Sequence, residues 1–377
     1  MTHCEQPANA LAADKRYQMT ENYVSGTTGF LGSHLALELL RQGEAVSSLV
    51  RGADPRSRLL SAIAKAGSYA PGGPVQIDPA ALGVLEGDLR SPRCGVATPP
   101  VTGGTFWHLA ANLRYNERHR TGVFEDNVGG ARQAVRLARS LGCSRFVYVS
   151  TAYTCGRQSG HIPEQLHDSG AVFNNVYEES KCAAEHVVIE IAEAVGMEWV
   201  ITRPSIVIGP STTWSSGGSN SGLYGFAHRV RALRVPLRSH DAGVRLSAVP
   251  GMPLNFVALD WVIRDLLTFG KDPGSRGTVR HLTSESSVTV QDVISYITAS
   301  VGVPAIIATE GELSQPTTIE KRLARQMEFY GNYLRYPKTF ERSVSSRSTI
   351  ERHQVEQAVK SFVEEIKIDQ TRKPAIW

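Results

Sequence analysis

The stretch Val24-Ser25-Gly26-Thr27-Thr28-Gly29-Phe30-Leu31-Gly32 constrains the fold more than any other part of the chain. A short apolar run, Tyr23-Val24, leads into it, and Leu31, Leu35, Leu39 and Leu40 follow at helical spacing. Strand, glycine turn and helix in that order make a phosphate cradle. Gly26 and Gly29 let the backbone turn tightly and approach a pyrophosphate, and Gly32 lets the helix pack close to the strand. The unpaired N–H groups and dipole of the helix start then attract the phosphates. A second strand, Ala45 to Val50, follows at the distance this arrangement requires.

That second strand ends in Arg51, where a dinucleotide fold discriminates between its cofactors. An acid there bonds the ribose hydroxyl of NAD, whereas an arginine accommodates the 2′-phosphate of NADP. Arg51 therefore predicts NADPH, and Arg56 or Arg58 adds charge. Asp54-Pro55 opens the next helix as N-cap and first-turn proline. Further strands are expected at Val84–Leu89, Phe106–Ala111, Arg145–Thr151 and Trp199–Thr202, with helices at Val123–Leu141 and Tyr177–Val195. The fourth strand stops at Ala110-Ala111, small residues that leave room for a ligand. The first strand is polar at Thr20-Glu21-Asn22, where a central parallel strand should be apolar. Alternating strands and helices predict an α/β fold, a doubly wound, mostly parallel Rossmann sheet.

After Pro204 the character changes. A Gly-, Ser- and Asn-rich loop, 211–225, precedes a stretch carrying Arg229, Arg231, Arg234 and Arg238. Asp260 reads as the N-cap of the helix after a short strand at Asn255–Ala258. The expected organisation is a disordered extension at 1–19, and an NADP-binding Rossmann domain at 20–210 with a returning segment at about 253–283. The segments 211–252 and 284–377 are left for a smaller, mixed C-terminal substrate domain.

Composition excludes several classes. The chain has 377 residues, 41% hydrophobic and 20% charged, with net charge +4, as for a globular protein rather than a nucleic-acid binder. It has no apolar run long enough for a membrane span and no His/Cys cluster with metal-ligand spacing. Its five cysteines form no CxxC pair, and the polar N-terminus has no secretory pattern, so a cytoplasmic location is expected.

Lys181 follows Tyr177 by four residues, one turn apart on one helix face. A phenol titrates near about 10, and a neighbouring ammonium lowers that value. Such a pair can exchange a proton with a reacting oxygen, with Thr151 or Ser150 at the end of strand five as the shared hydroxyl.

These pieces together resemble an extended short-chain dehydrogenase/reductase. The matching residues are Gly26-x-x-Gly29-x-x-Gly32, Asp88-Leu89, His108-Leu109-Ala110-Ala111, Asn127-Val128-x-Gly130, Val149-Ser150-Thr151, Tyr177-x-x-x-Lys181 and Arg203-Pro204-Ser205-Ile206-Val207. The resemblance implies that Thr151 polarises a carbonyl and Tyr177 donates the proton. Lys181 would bond the nicotinamide ribose and tune Tyr177, and Asp88 and Leu89 would border the adenine. Thr28, Phe30, Leu31, Arg58, Ala110, Ala111, Pro204 and Ile206 are further expected cofactor contacts. Thr28-Gly29-Phe30-Leu31-Gly32 and Val149-Ser150-Thr151-Ala152-Tyr153 resemble more narrowly the male-sterility type of fatty acyl-CoA reductase and the thioester reductase domains of peptide synthetases. The Met327–Tyr336 stretch, with its paired tyrosines, resembles the region past the Rossmann core in that branch, whereas Ser25 replaces the usual Thr and the C-terminal third otherwise has no counterpart.

The expected activity is NADPH-dependent reduction of an acyl thioester, carried by coenzyme A or a separate acyl carrier protein, to aldehyde or alcohol. The arginines at 229–238 would then meet the carrier's anionic groups. A ketone or hydroxysteroid-like reductase, a nucleotide-sugar epimerase or dehydratase, and a non-catalytic NADP(H) sensor remain the alternatives.

Overall fold

The computed structural model describes residues 21–96, 103–238, 240, 243–331, 333–343 and 349–372. The expected 1–19 extension lies outside them. Seven strands form the central sheet: β1 (Glu21–Ser25), β2 (Ala45–Val50), β3 (Leu82–Glu86), β4 (Thr105–His108), β5 (Arg145–Val149), β6 (Glu198–Pro204) and β7 (Thr278–Leu282). Their order is β7-β6-β5-β4-β1-β2-β3, and every pairing is parallel. The order reverses between β1 and β4, so a crevice opens at their carboxyl ends, the usual ligand position in such sheets.

Burial on both faces explains the continuous apolar strands; all five residues of β5 are buried. Helices α1 (Phe30–Arg41) and α2 (Pro55–Gly67) cover one face. Helices α3 (Gly130–Ser140) and α4 (Val176–Ala194) cover the other. Asp54 caps α2 as expected, accepting the Ser57 N–H at 3.3 Å.

The polar start of β1 is satisfied rather than exposed. Asn22 is buried; its amide donates to Glu44 (2.8 Å) and Ala45 O (3.2 Å) and accepts the Trp107 indole N–H (2.9 Å). Glu21 accepts the Ser47 hydroxyl at 2.6 Å. A buried polar group costs little once its partners are supplied, so this central strand tolerates it. Ser25 keeps a hydroxyl at its position and bonds His108 Nδ1 at 2.6 Å.

Several local expectations change: β3, β4 and β5 end at Glu86, His108 and Val149, before the expected Leu89, Ala111 and Thr151, where the chain leaves the sheet to line the crevice. The helix expected at Val123–Leu141 is interrupted by a π turn at Glu125–Gly129 before α3. Asp260 is not an N-cap. Ala258 caps the helix Leu259–Lys271, and the Asp260 carboxylate accepts both the N–H and the hydroxyl of Ser211 at 2.7 Å. That carboxylate anchors the loop leaving the sheet.

A second core cluster, running from Ile208 to Val363, gathers α5 (Gly222–Ala232), α6 (Val290–Val301) and α7 (Arg352–Arg372). Residues 338–340 return to pair with 160–162, closing a small cluster of Ala152, Cys155, Ile162 and Phe340.

Candidate active site

The glycine turn is built as its spacing predicts. Gly26 has φ +84°, and a Cβ there would lie 2.6 Å from Ala110 N, so strand β4 approaches this backbone directly. A Cβ on Gly32 would lie 2.2 Å from Gly26 O, which only glycine avoids. Gly29 differs: a Cβ would meet only Gly26 O, at 3.2 Å. The space over Gly29 at the start of α1 is open, as an approaching phosphate requires.

One cavity of about 1370 Å³ lies over the carboxyl ends of the strands. Gly26, Thr28, Gly29, Phe30, Leu31, Arg51, Arg58, Asp88, Leu89, Ala110, Ala111, Thr151, Tyr177, Lys181, Pro204 and Ile206 all line it. Gly32 is buried beneath the turn. Arg51 stands at the rim, 69% exposed, 3.9 Å from Asp88. Arg58 donates to Arg51 O beside it, whereas Arg56 turns away to Leu82 O at 3.3 Å. Among the described residues, the buried hydroxyls of Ser150 and Ser205 face this cavity without a partner. The open cradle and these two hydroxyls fit a polar dinucleotide.

Tyr177 and Lys181 project from the first turns of α4. Asn175 caps that helix by accepting the Glu178 N–H at 3.0 Å. Lys181 is almost fully buried. Its ammonium donates to Val149 O at 2.8 Å and lies 4.1 Å over the Tyr148 ring. Burial pushes Lys181 down to about 7, partly opposed by Glu185. Burial, with Glu178 adding, holds the Tyr177 phenol above its ordinary value. This is opposite to the direction expected from a neighbouring ammonium: burial of the phenol sets the direction. Thr151 lies two residues past β5 and caps the short turn Ala152–Cys155.

Two sets of contacts hold this arrangement. Asn127, in the π turn, accepts Asn112 N (2.7 Å) and donates to Asn112 O (3.0 Å) and the Ser180 hydroxyl (2.8 Å). It thereby ties the end of β4 to α4. Arg203 and Glu185, both fully buried, form a paired bridge at 2.9 and 2.6 Å, and Arg203 also reaches Gln165 O. A buried charge pair persists only when both partners are satisfied, and this one fixes β6 where Pro204 enters the cavity.

The basic stretch divides. Only Arg229 of its four arginines lines the cavity, in contact with Tyr115. Arg238 donates to Gly302 O at 2.9 Å beyond the end of α6, Arg234 is exposed, and Arg231 lies half-buried outside the lining. Arg114, in the loop after β4, joins Arg229 instead. Leu223, Phe226, Leu254, Phe256, Val293 and Leu334 give the C-terminal part of the cavity an apolar wall. Tyr153, Tyr330 and Tyr333 also line it. The tyrosines at 330 and 333 carried no periodic signal that distinguished them from core residues. Among the described residues no His/Cys/Asp/Glu group could hold a metal, and no helix is long and apolar enough to cross a membrane.

The chain is 29% identical over 287 residues to sterol demethylase protein B of Methylococcus capsulatus, covering 74% of each protein. It is 26% identical over 287 residues to the nonribosomal peptide synthetase asaC of Aspergillus flavus, covering 70% of this chain and 26% of that one. Its fold matches the terminal R domain of the myxalamid PKS-NRPS pathway, with TM-score 0.69 at 20% identity over 92% of this chain and 91% of that one. Residues 24–266 match the male sterility protein family. The chain therefore belongs to that family of extended short-chain dehydrogenases/reductases and is an NAD(P)-dependent oxidoreductase.

Proposed function

We propose that the protein reduces an acyl thioester with NADPH, the acyl group arriving on coenzyme A or an acyl carrier protein. The observation that carries this reading is a single cavity. It joins the glycine turn and Arg51 to Thr151, Tyr177 and Lys181, and continues into an apolar wall with Arg114 and Arg229. An acyl chain suits that wall, whereas the hydroxyls of a sugar nucleotide would find few partners on it. Arginines suit the phosphates of a carrier. The peptide synthetase relative and the R-domain fold support the same substrate class.

In this reading the glycine turn and the start of α1 hold the pyrophosphate, Arg51 and Arg58 the 2′-phosphate, and Asp88 and Leu89 the adenine side. Lys181 holds the ribose. The bound nicotinamide supplies hydride. Thr151 and Tyr177 donate hydrogen bonds to the carbonyl oxygen as negative charge develops on it. Tyr177 then transfers its proton to that oxygen.

Arg51 makes the cofactor choice testable. NADPH should bind at least about tenfold more tightly than NADH, since a charge-assisted hydrogen bond contributes about 1.5–3 kcal/mol and screening at an exposed rim reduces it. Arg51→Asp should abolish the preference. Equal dissociation constants in the wild type would refute the assignment. The substrate class is tested by following NADPH oxidation with acyl-CoA, ketone and sugar-nucleotide panels. Turnover confined to ketones would overturn the thioester reading. Arg229→Ala should raise KM for acyl-CoA and flatten its salt dependence.

A further inference from the structure

The family match ends at residue 266, yet the cavity is completed by a segment some sixty residues later. Tyr333 comes from that segment and faces the same cavity as Thr151, Tyr153 and Tyr177. Its ring meets Tyr153 edge-on, with centroids 5.0 Å apart and planes at 72°. Tyr153 in turn meets Phe340 edge-on at 5.8 Å.

The Tyr333 hydroxyl is held from two sides. It accepts from Asn175 Nδ2 at 3.0 Å and donates to the Glu178 carboxylate. Asn175 is the N-cap of α4, so one amide both starts the helix of Tyr177 and fixes Tyr333. Glu178 occupies the third position of that helix, where a glutamate ordinarily reaches back to the N-cap N–H. Here it is fully buried and reaches one residue further, to Asn174 N (3.0 Å) and Asn174 Nδ2 (3.2 Å). That leaves it positioned to take the phenol. On either side of Tyr333 the segment is anchored again: Tyr330 donates to Gly222 O at 2.9 Å, and 338–340 pairs with 160–162.

We propose that Tyr333 is the wall that sets the size of the group accepted beside the reacting carbonyl, and that Glu178 and Asn175 are its positioning residues. A ring this firmly referenced to α4 cannot swing aside as a loop side chain would. Substituents branching next to the carbonyl therefore meet a fixed aromatic face. The discrimination comes from a segment outside the family match, while the hydride-transfer machinery comes from within it.

The substrate half of this inference rests on the reductase reading; the latch itself does not. Its test uses the full chain with NADPH and two probe pairs: butyryl-CoA against 2-ethylbutyryl-CoA, and butanal against 2-ethylbutanal. Tyr333→Ala should raise the kcat/KM ratio of branched to straight probe by about tenfold or more, the usual worth of one or two carbons in a closed pocket. Glu178→Ala should shift the ratio the same way, and Glu178→Gln, which keeps an acceptor, should return it toward the wild type. Hydrogen exchange in peptides spanning 333–343 should quicken in Tyr333→Phe and Glu178→Ala. An unchanged ratio in Tyr333→Ala overturns the wall, and unchanged exchange in Glu178→Ala overturns the latch. A ratio shift seen with the aldehydes alone refutes the thioester reading and leaves the inference standing. A wild type that reduces none of the four probes overturns the reductase reading and the wall, while the exchange result still decides the latch.

Discussion

Tyr177→Phe should lower turnover by about 10²–10⁴ while cofactor affinity stays close to the wild-type value, the expected cost of removing one general acid. The phenol lines the cavity with Thr151 and Lys181, and no carboxyl of α4 does. Glu178, the adjacent carboxyl, is fully buried and bonds Asn174 and Tyr333 instead. Burial raises the Tyr177 phenol, so it keeps its proton at neutral pH, as the proposed donor role requires. In the proposed reduction the alkoxide formed by hydride addition takes that proton. Lys181→Ala should impair binding and turnover together, since its ammonium also braces Val149 O at the end of β5. Single-turnover rates and titration of NADPH separate the two effects. Near-normal turnover in Tyr177→Phe would place the proton donor elsewhere and remove the assignment.

What the sequence disclosed follows from range. The glycine turn, the Asp54-Pro55 cap and the Tyr177/Lys181 spacing are set within one or two turns of chain, so residue order alone reveals them. The parallel sheet was legible for the same reason, through its alternation of apolar strands and helices. Contacts closed across the fold were not. Nothing local shows that Asn22 is paired with Trp107, 85 residues away, or that Asp260 would bind Ser211 rather than cap its own helix. The arginines at 229–238 looked like one patch. Their helix ends at Ala232, and the chain then turns, sending only Arg229 into the cavity. Tyr333 stood out only as part of the tyrosine-bearing stretch 327–336, and its contacts were not legible, because Asn175 and Glu178 precede it by more than 150 residues. The raised Tyr177 value was missed for a related reason: spacing reports a neighbouring ammonium, but not how much water burial removes.

Four buried histidines give the second large effect, in the response to acid. Burial pushes His34 and His281 down to about 4, and His108 and His167 down to about 3. Each lies below the ordinary value of about 6.5 that it regains on unfolding. The unfolded chain therefore binds more protons than the folded one between those limits. Stability from these groups is complete above pH 6.5 and is lost as pH falls toward 4 and 3. From pH 7 to pH 5 each histidine withdraws about 2 kcal/mol. Glu178 works against them. Burial raises it to about 7, so the folded state binds its proton first and gains about 2 kcal/mol over the same interval. The net loss is on the order of 5 kcal/mol, comparable to the whole stability of many proteins. Urea midpoints should fall steeply between pH 7 and pH 5. His281→Gln should flatten the fall: its Nδ1 bonds Glu341 O at 2.9 Å, an acceptor a glutamine amide can also serve, while its Nε2 has no partner among the described residues. A midpoint that stays level across that interval would mean these rings protonate in place, and that the core around Arg203 admits water.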